Sequence, residues 1–264
     1  MSVKPRAPLF RDPIYDGAAD PTIIWTEEEK CWTLIYTNRR ANVPCQGWSW
    51  PMGTDIGIAQ SVDGENWQYR GIVPGLNFEN GRNTFWAPEI IQHDGLYHMF
   101  CTYIRGISAF GYGERFIVHY TGKSIWEMKF HQFITPFGDA SIIDAAVHQL
   151  PDGRWRMWVK NESKGSITEC CDSADLYNWV YAGPVITDVP HEGPNVFFFK
   201  NYFWMITDEW KGLGVYRSTD GLRFEKRPYR LLDTPGVRED DGRIGNHADV
   251  LVHKDRAYIF YFTH

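Results

Sequence analysis

The chain has 264 residues and a net charge of −6, and 16% of it is aromatic, a share that suits packed β-strands and sugar-binding walls alike. No run of Lys or Arg has the density of a nucleic-acid groove and no apolar stretch is long enough to span a bilayer, so neither partner is expected. The opening residues MSVKPRAPLFRDP lack the apolar core of a secretory signal, and Cys31, Cys45, Cys101, Cys170 and Cys171 show no metal-type spacing, so reduced thiols and a cytoplasmic location are expected.

Short apolar strands separated by Gly, Asp, Asn and Pro predict an all-β chain. The first unit opens on Asp20-Pro21-Thr22 and turns at 28–30 into an aromatic strand over 31–37. A third strand over 55–61, a turn from Ser61 to Trp67 and a fourth strand over 68–73 complete it. The second unit opens on Ala87-Pro88-Glu89 and turns at Asp94-Gly95, a favoured hairpin pair, with strands over 96–104, 115–121 and 129–134. The third opens on Asp144-Ala145-Ala146 and runs through strands over 154–162, 166–173 and 180–186. The fourth opens on Gly193-Pro194-Asn195, with Glu192 just before it, and continues over 202–209, 214–219 and 225–231. The fifth opens on His247-Ala248-Asp249 and stops after its second strand, 257–264.

One supersecondary unit repeated in this way predicts a five-bladed β-propeller with about four antiparallel strands per blade, a single domain over residues 1–264. The last unit would leave an exposed edge, so segment 8–16 is expected to join the last blade and close the ring.

In a propeller the first strand of each unit lines the central channel, so the unit openings converge at one mouth. Asp20, Asp144, Glu192 and His247 would meet there. Like charges at close range raise one another's pKa. One carboxyl kept protonated can donate to a leaving group while an ionised one activates water, which is the logic of glycoside hydrolysis.

These motifs, in order and one per unit, resemble glycoside hydrolase family 43 and its five-bladed propeller relatives over nearly the whole chain. The resemblance implies that Asp20 is the general base, Glu192 the general acid, and Asp144 the group that orients the acid and modulates its pKa. It implies an inverting hydrolase of glycosidic bonds, with no cofactor required for the chemistry. The expected cytoplasmic location, where imported oligosaccharides are met, favours exo action releasing a terminal pentose, of the α-L-arabinofuranosidase or β-D-xylosidase type. His247 matches the last-blade His that often ligates a central metal, so it is the candidate ligand of a structural calcium ion. The chain departs from the family pattern at Asn246, often Gly, and at Ala145, often Pro.

Trp86, beside the channel mouth, and Trp48 and Trp50, in a long Gly- and Pro-rich loop, are candidate walls of the sugar site, and Arg243 is a candidate donor to sugar hydroxyls. Three rival readings remain open. One is a related propeller glycosidase of different specificity, such as an anhydro-galactosidase. With it goes a phosphorylase using Arg39, Arg40 or Arg82. The second is a carbohydrate-binding propeller without catalysis, and the third a protein-interaction propeller.

Overall fold

A computed structural model of the chain describes residues 7–47, 49–110, 113–138, 141–238 and 240–263. It is all-β apart from one short 3-10 turn, Ile125–Glu127. No helix among the described residues is long and apolar enough to cross a membrane.

Four antiparallel four-stranded sheets follow one another along the chain. The first holds β1 (Ala18–Thr26), β2 (Cys31–Asn38), β3 (Asp55–Ser61) and β4 (Gln68–Ile72). The second holds β5 (Thr84–His93), β6 (Leu96–Ile104), β7 (Arg115–Gly122) and β8 (Lys129–Ile134). The third holds β9 (Ile142–Gln149), β10 (Trp155–Asn161), β11 (Ile167–Ser173) and β12 (Trp179–Ile186). The fourth holds β13 (Glu192–Phe199), β14 (Tyr202–Asp208), β15 (Leu213–Ser218) and β16 (Glu225–Leu231). A two-stranded sheet of β17 (Asn246–His253) and β18 (Arg256–Phe262) ends the series. The first strands touch in cyclic order, β1 to β5 to β9 to β13 to β17 and back to β1, so the sheets form a β-propeller of four complete blades closed by the two-stranded sheet.

Burial follows from this stacking. The second strand of a blade has neighbouring blades on both faces, so β10 is buried at every residue and β6 at every residue but the first. Such strands read as mostly apolar, aromatic-rich runs whose few polar side chains are buried as well. The outermost strand β4 instead alternates between exposed and half-buried positions. The turns between third and fourth strands are held by the Ser and Asp expected there. Ser61 Oγ accepts from Gly64 N at 2.9 Å and Asp63 Oδ1 from Asn66 N at 2.8 Å, and the same pattern recurs at Ser218 and Asp220.

The repeated opening phrase is a β-bulge. In all five units two residues of the first strand face one residue of the second, so the ladder skips there. These pairs are Asp20-Pro21, Ala87-Pro88, Asp144-Ala145, Gly193-Pro194 and His247-Ala248. Proline is tolerated at the second place because the bulge removes the ladder hydrogen bond that its missing N–H would otherwise have to make. The leading residue is left-handed in four units, with φ of 47° at Asp20, 44° at Ala87, 57° at Asp144 and 53° at Gly193.

Deeper in the channel, carboxylates tie blade to blade. Glu89 Oε1 accepts from Val147 N at 2.9 Å, while Asp249 accepts from Ile23 N and from the Asn195 amide, each at 2.8 Å. Burial raises the pKa of both, and the neighbouring Asp249 charge adds to the effect on Glu89.

The amino-terminal segment does not join the last sheet as a strand. Pro8 and Pro13 have no N–H to give a ladder, and Asp12 Oδ1 curls the chain by accepting from Ile14 N at 2.9 Å and Tyr15 N at 2.7 Å. Instead Leu9 and Phe10 pack with Leu34, Tyr36, Leu251 and Phe260, and Arg11 pairs with Asp16 and Asp240. The segment therefore bridges the first blade and the two-stranded sheet through side chains.

Asp249→Ala should leave two buried donors from neighbouring blades without an acceptor, lowering stability by about 2–4 kcal/mol. Urea unfolding should show a lower midpoint with an unchanged slope. An unchanged midpoint would mean that these inter-blade bonds contribute nothing.

Candidate active site

The bulges turn the leading side chains toward the axis, and residues on the second strands brace them. Opposite the residue just before each bulge stand Thr37, Thr102, Lys160, Asp208 and Phe262. Thr37 Oγ1 accepts from Ala87 N at 2.8 Å and Thr102 Oγ1 from Asp144 N at 3.1 Å. Asp208 Oδ2 accepts from His247 N at 3.0 Å. Each reaches from its own blade to the head of the next.

Asp20, Asp144 and Glu192 converge as expected, with His247 among them. Arg39 Nη2 donates to Asp20 Oδ1 at 2.9 Å and to Oδ2 at 3.2 Å, and His247 Nδ1 lies 3.5 Å from the same Oδ1. Asp144 Oδ2 accepts from Gly193 N at 3.1 Å, which fixes the backbone beside Glu192. Glu192 Oε2 accepts from Lys160 Nζ at 3.0 Å, and that ammonium also reaches Glu162 Oε1 at 3.2 Å. The Asp20 side chain is 6% exposed and that of Glu192 30%, so Glu192 is the more accessible to an entering molecule. Gly193 has no alternative. A Cβ there would stand 2.6 Å from His247 Cγ, and its φ is positive as well.

Electrostatics separates the two buried aspartates. Burial alone would raise Asp20, but Arg39, His247 and the Thr37 hydroxyl together hold its pKa below the usual value. Asp144 is pushed up to about 6, first by burial and then by Glu192 and Asp20, against the opposing pull of His247 and Lys160. One carboxyl is thus kept ionised while its neighbour holds its proton up to about pH 6.

The calcium expected at His247 would find there a buried imidazole surrounded by carboxylates. Burial opposes its charged form, but the carboxylates of Asp144, Asp20, Glu192 and Asp208 outweigh it and raise the imidazole pKa. When protonated, this ring supplies positive charge to the acids. Calcium takes six to eight oxygen ligands, and among the described residues no group of three or more His, Cys, Asp or Glu side chains is placed to hold a metal ion.

The other candidates are dispersed. Trp50 is half-buried with the Arg39 guanidinium 5.5 Å from its ring centre, so it borders the Asp20 side. Phe262 lies 4.6 Å from that guanidinium. Trp86 is half-buried, and its indole N–H donates to Pro51 O at 2.6 Å, docking the 39–54 loop on the second blade. Trp48 lies outside the described residues. Arg243 is exposed and lines a cavity of about 650 Å³ between the amino-terminal segment and β18, which the three acids do not line. Asp240 and Asp241 pair there with Arg11 and with the Tyr261 hydroxyl.

Sequence reasoning missed Lys160, Asp208 and Trp210, and it saw Arg39 only as a rival phosphate ligand. A signal existed. Thr37, Thr102, Lys160 and Asp208 recur at one register of otherwise apolar central strands, where a polar group needs a partner.

No family model and no curated protein matches the sequence. Solved structures do match by shape. A family-43 β-xylosidase/α-arabinofuranosidase from a compost metagenome, in complex with xylotriose, aligns with a TM-score of 0.69 at 14% identity, over 98% of this chain and 88% of that one. A family-43 β-1,3-galactosidase gives 0.69 at 16% identity, over 98% and 89%. An endo-arabinase from Bacteroides thetaiotaomicron gives 0.65 at 19%, over 96% and 92%. The chain has the fold of the family-43 glycoside hydrolases. Those three proteins differ in the sugar they act on, so the propeller does not fix the substrate.

The raised pKa of Asp144 has a consequence for stability. Between its ordinary 3.8 and about 6 the folded protein holds a proton that the unfolded chain releases, so this residue's contribution falls as pH rises through that window. Asp144→Asn keeps an oxygen acceptor for Gly193 N and tolerates positive φ. It should be more stable than the parent at pH 8 by about 1–3 kcal/mol and equal to it near pH 4. Thermal melts at both pH values test this, and a variant destabilised equally at both would refute it.

Proposed function

We propose that this protein is an inverting glycoside hydrolase. The reading rests on three acids at one channel mouth: Asp20, ionised and braced by Arg39; Glu192, the more exposed; and Asp144, whose pKa is raised beside them. In the proposed reaction a water molecule gives its proton to Asp20 and bonds to the anomeric carbon. The bond from that carbon to the glycosidic oxygen breaks, and Glu192 protonates the departing oxygen. Asp144 positions Glu192 through the Gly193 N–H. His247 offsets the negative charge of the three acids. The steps use side chains and water only.

We further read the protein as a five-bladed ring whose last blade is reduced to two strands. Exo action on a terminal pentose is the specificity we favour. The 39–54 loop supports it, because it is fastened over one side of the mouth by the Trp86–Pro51 bond and by Arg40 donating to Ser49 O at 3.0 Å. A wall there suits a chain end. The five free thiols accord with work in a reducing compartment on imported oligosaccharides. Phosphorolysis gains no support, since Arg39 is bound to Asp20, Arg40 to Ser49 and Arg82 to Gly53 O and Asp55.

The test is hydrolysis of aryl α-L-arabinofuranoside, β-D-xyloside and β-D-galactoside, with product anomers followed by proton NMR. The expected result is an inverted pentose, with turnover reduced about 10²–10⁴-fold in Asp20→Asn and in Glu192→Gln. Unchanged turnover in both variants would end the assignment.

A further inference from the structure

The turn after β14 holds a residue that no part of the reaction above uses. Trp210 is 46% exposed, although it stands at the channel mouth beside buried neighbours. Its φ is 55°, a left-handed conformation that so large a side chain adopts only where its surroundings impose it. The surroundings do so from both flanks. Asp208 Oδ1 accepts from Trp210 N at 2.7 Å while its other oxygen holds the His247 N–H. Glu209 is buried and pinned by Lys226 at 2.7 Å and Arg230 at 2.6 Å, and its N–H closes the turn on Gly212 O at 3.2 Å. A strained turn that presents an indole to solvent does nothing for the core.

The indole sits next to the acid. Lys160 Nζ lies 5.4 Å from its ring centre and 3.0 Å from Glu192 Oε2. A general acid protonates the oxygen that joins the cleaved sugar to its leaving group. The surface adjoining Glu192 and remote from Asp20 is therefore where the leaving group lies. Base and acid flanks are built apart here, with Arg39, Trp50 and Phe262 on one and Lys160, Glu162 and Trp210 on the other.

Resting on the glycosidase reading, we propose that Trp210, seated over Lys160, is the platform for the leaving-group sugar, so that the enzyme takes a glycoside whose leaving group is itself a sugar ring. The flat apolar face of the indole matches the C–H face of such a ring, and the Lys160 ammonium lies within reach of its hydroxyls.

Two substrates with the same glycone separate this from a structural effect: a disaccharide, and the glycosyl fluoride, whose leaving group is one atom. The readout is the ratio of kcat/KM for disaccharide to that for fluoride. Trp210→Ala should lower this ratio about 10- to 100-fold, and Trp210→Phe, which keeps an aromatic face, should restore most of it. Equal losses on both substrates, or an unchanged ratio in both variants, would overturn the platform and leave the glycosidase reading intact. A parent protein inactive on every disaccharide and fluoride tried would overturn the glycosidase reading, and the platform with it.

Discussion

Four of the five inner strands enter the channel through a residue held in left-handed conformation inside a β-bulge, and the arrangement of the site follows from that constraint. A bulge alone turns a side chain off the regular face of its sheet. Repeated at one height around an axis, it turns the side chains of Asp20, Ala87, Asp144 and His247 toward one point. Asp is among the residues that best tolerate positive φ, which suits Asp20 and Asp144 to these places. Gly193 answers a second demand, because His247 occupies the volume where any side chain would go. The strain is held by bonds between blades, in which Thr37, Thr102 and Asp208 each capture the N–H at the head of the next blade. Geometry at the mouth is thus a property of the closed ring, not of any one sheet.

The same closure concentrates negative charge. Asp20, Asp144 and Glu192 share the mouth, and Glu89 and Asp249 lie below them. Burial makes this costly, and the chain answers with Arg39, His247 and Lys160 at the mouth and with protonation of some of the acids. The result is a set of carboxyls with different states at one pH. Acid–base chemistry needs such a difference, and identical exposed carboxylates would lack it.

Much of this was legible in the sequence because bulge, turn and strand each leave a mark that repeats. The phrase Asp20-Pro21, echoed at Ala87-Pro88 and Gly193-Pro194, located the channel mouth, although only the strand register shows that its Pro marks a tolerated gap in a ladder. Central strands announced themselves as aromatic runs because both their faces are covered. What stayed hidden depends on contacts between units. Lys160 falls in the run Trp155–Asn161, where it looks like an ordinary interruption, and only the neighbouring blade makes it a partner of Glu192. Trp210 follows a strand end, as many exposed aromatics do, and its meaning lies in the φ that Asp208 and Glu209 impose. Segment 8–16 was expected to add a strand because the last unit lacks one. Its two prolines argued otherwise, and the hydrophobic pair Leu9 and Phe10 proved to be the part that docks.

The cations chosen for the two ends of the cleft differ in a way the proposed reaction explains. Asp20 must stay ionised until it takes a proton from water, and its bond to water must keep one direction. A guanidinium suits that task, being always charged and planar, and here it is clamped between Trp50 and Phe262. Glu192 must gain and lose a proton in every cycle, so a rigid fork on both its oxygens would oppose half of the cycle. Lys160 touches only Oε2, as a point charge on a flexible stem, and Glu162 is already in reach to receive the ammonium when the glycosidic oxygen arrives. On the proposed reaction the base end holds still and the acid end exchanges partners, an asymmetry that follows from Arg39 on one carboxylate and Lys160 on the other.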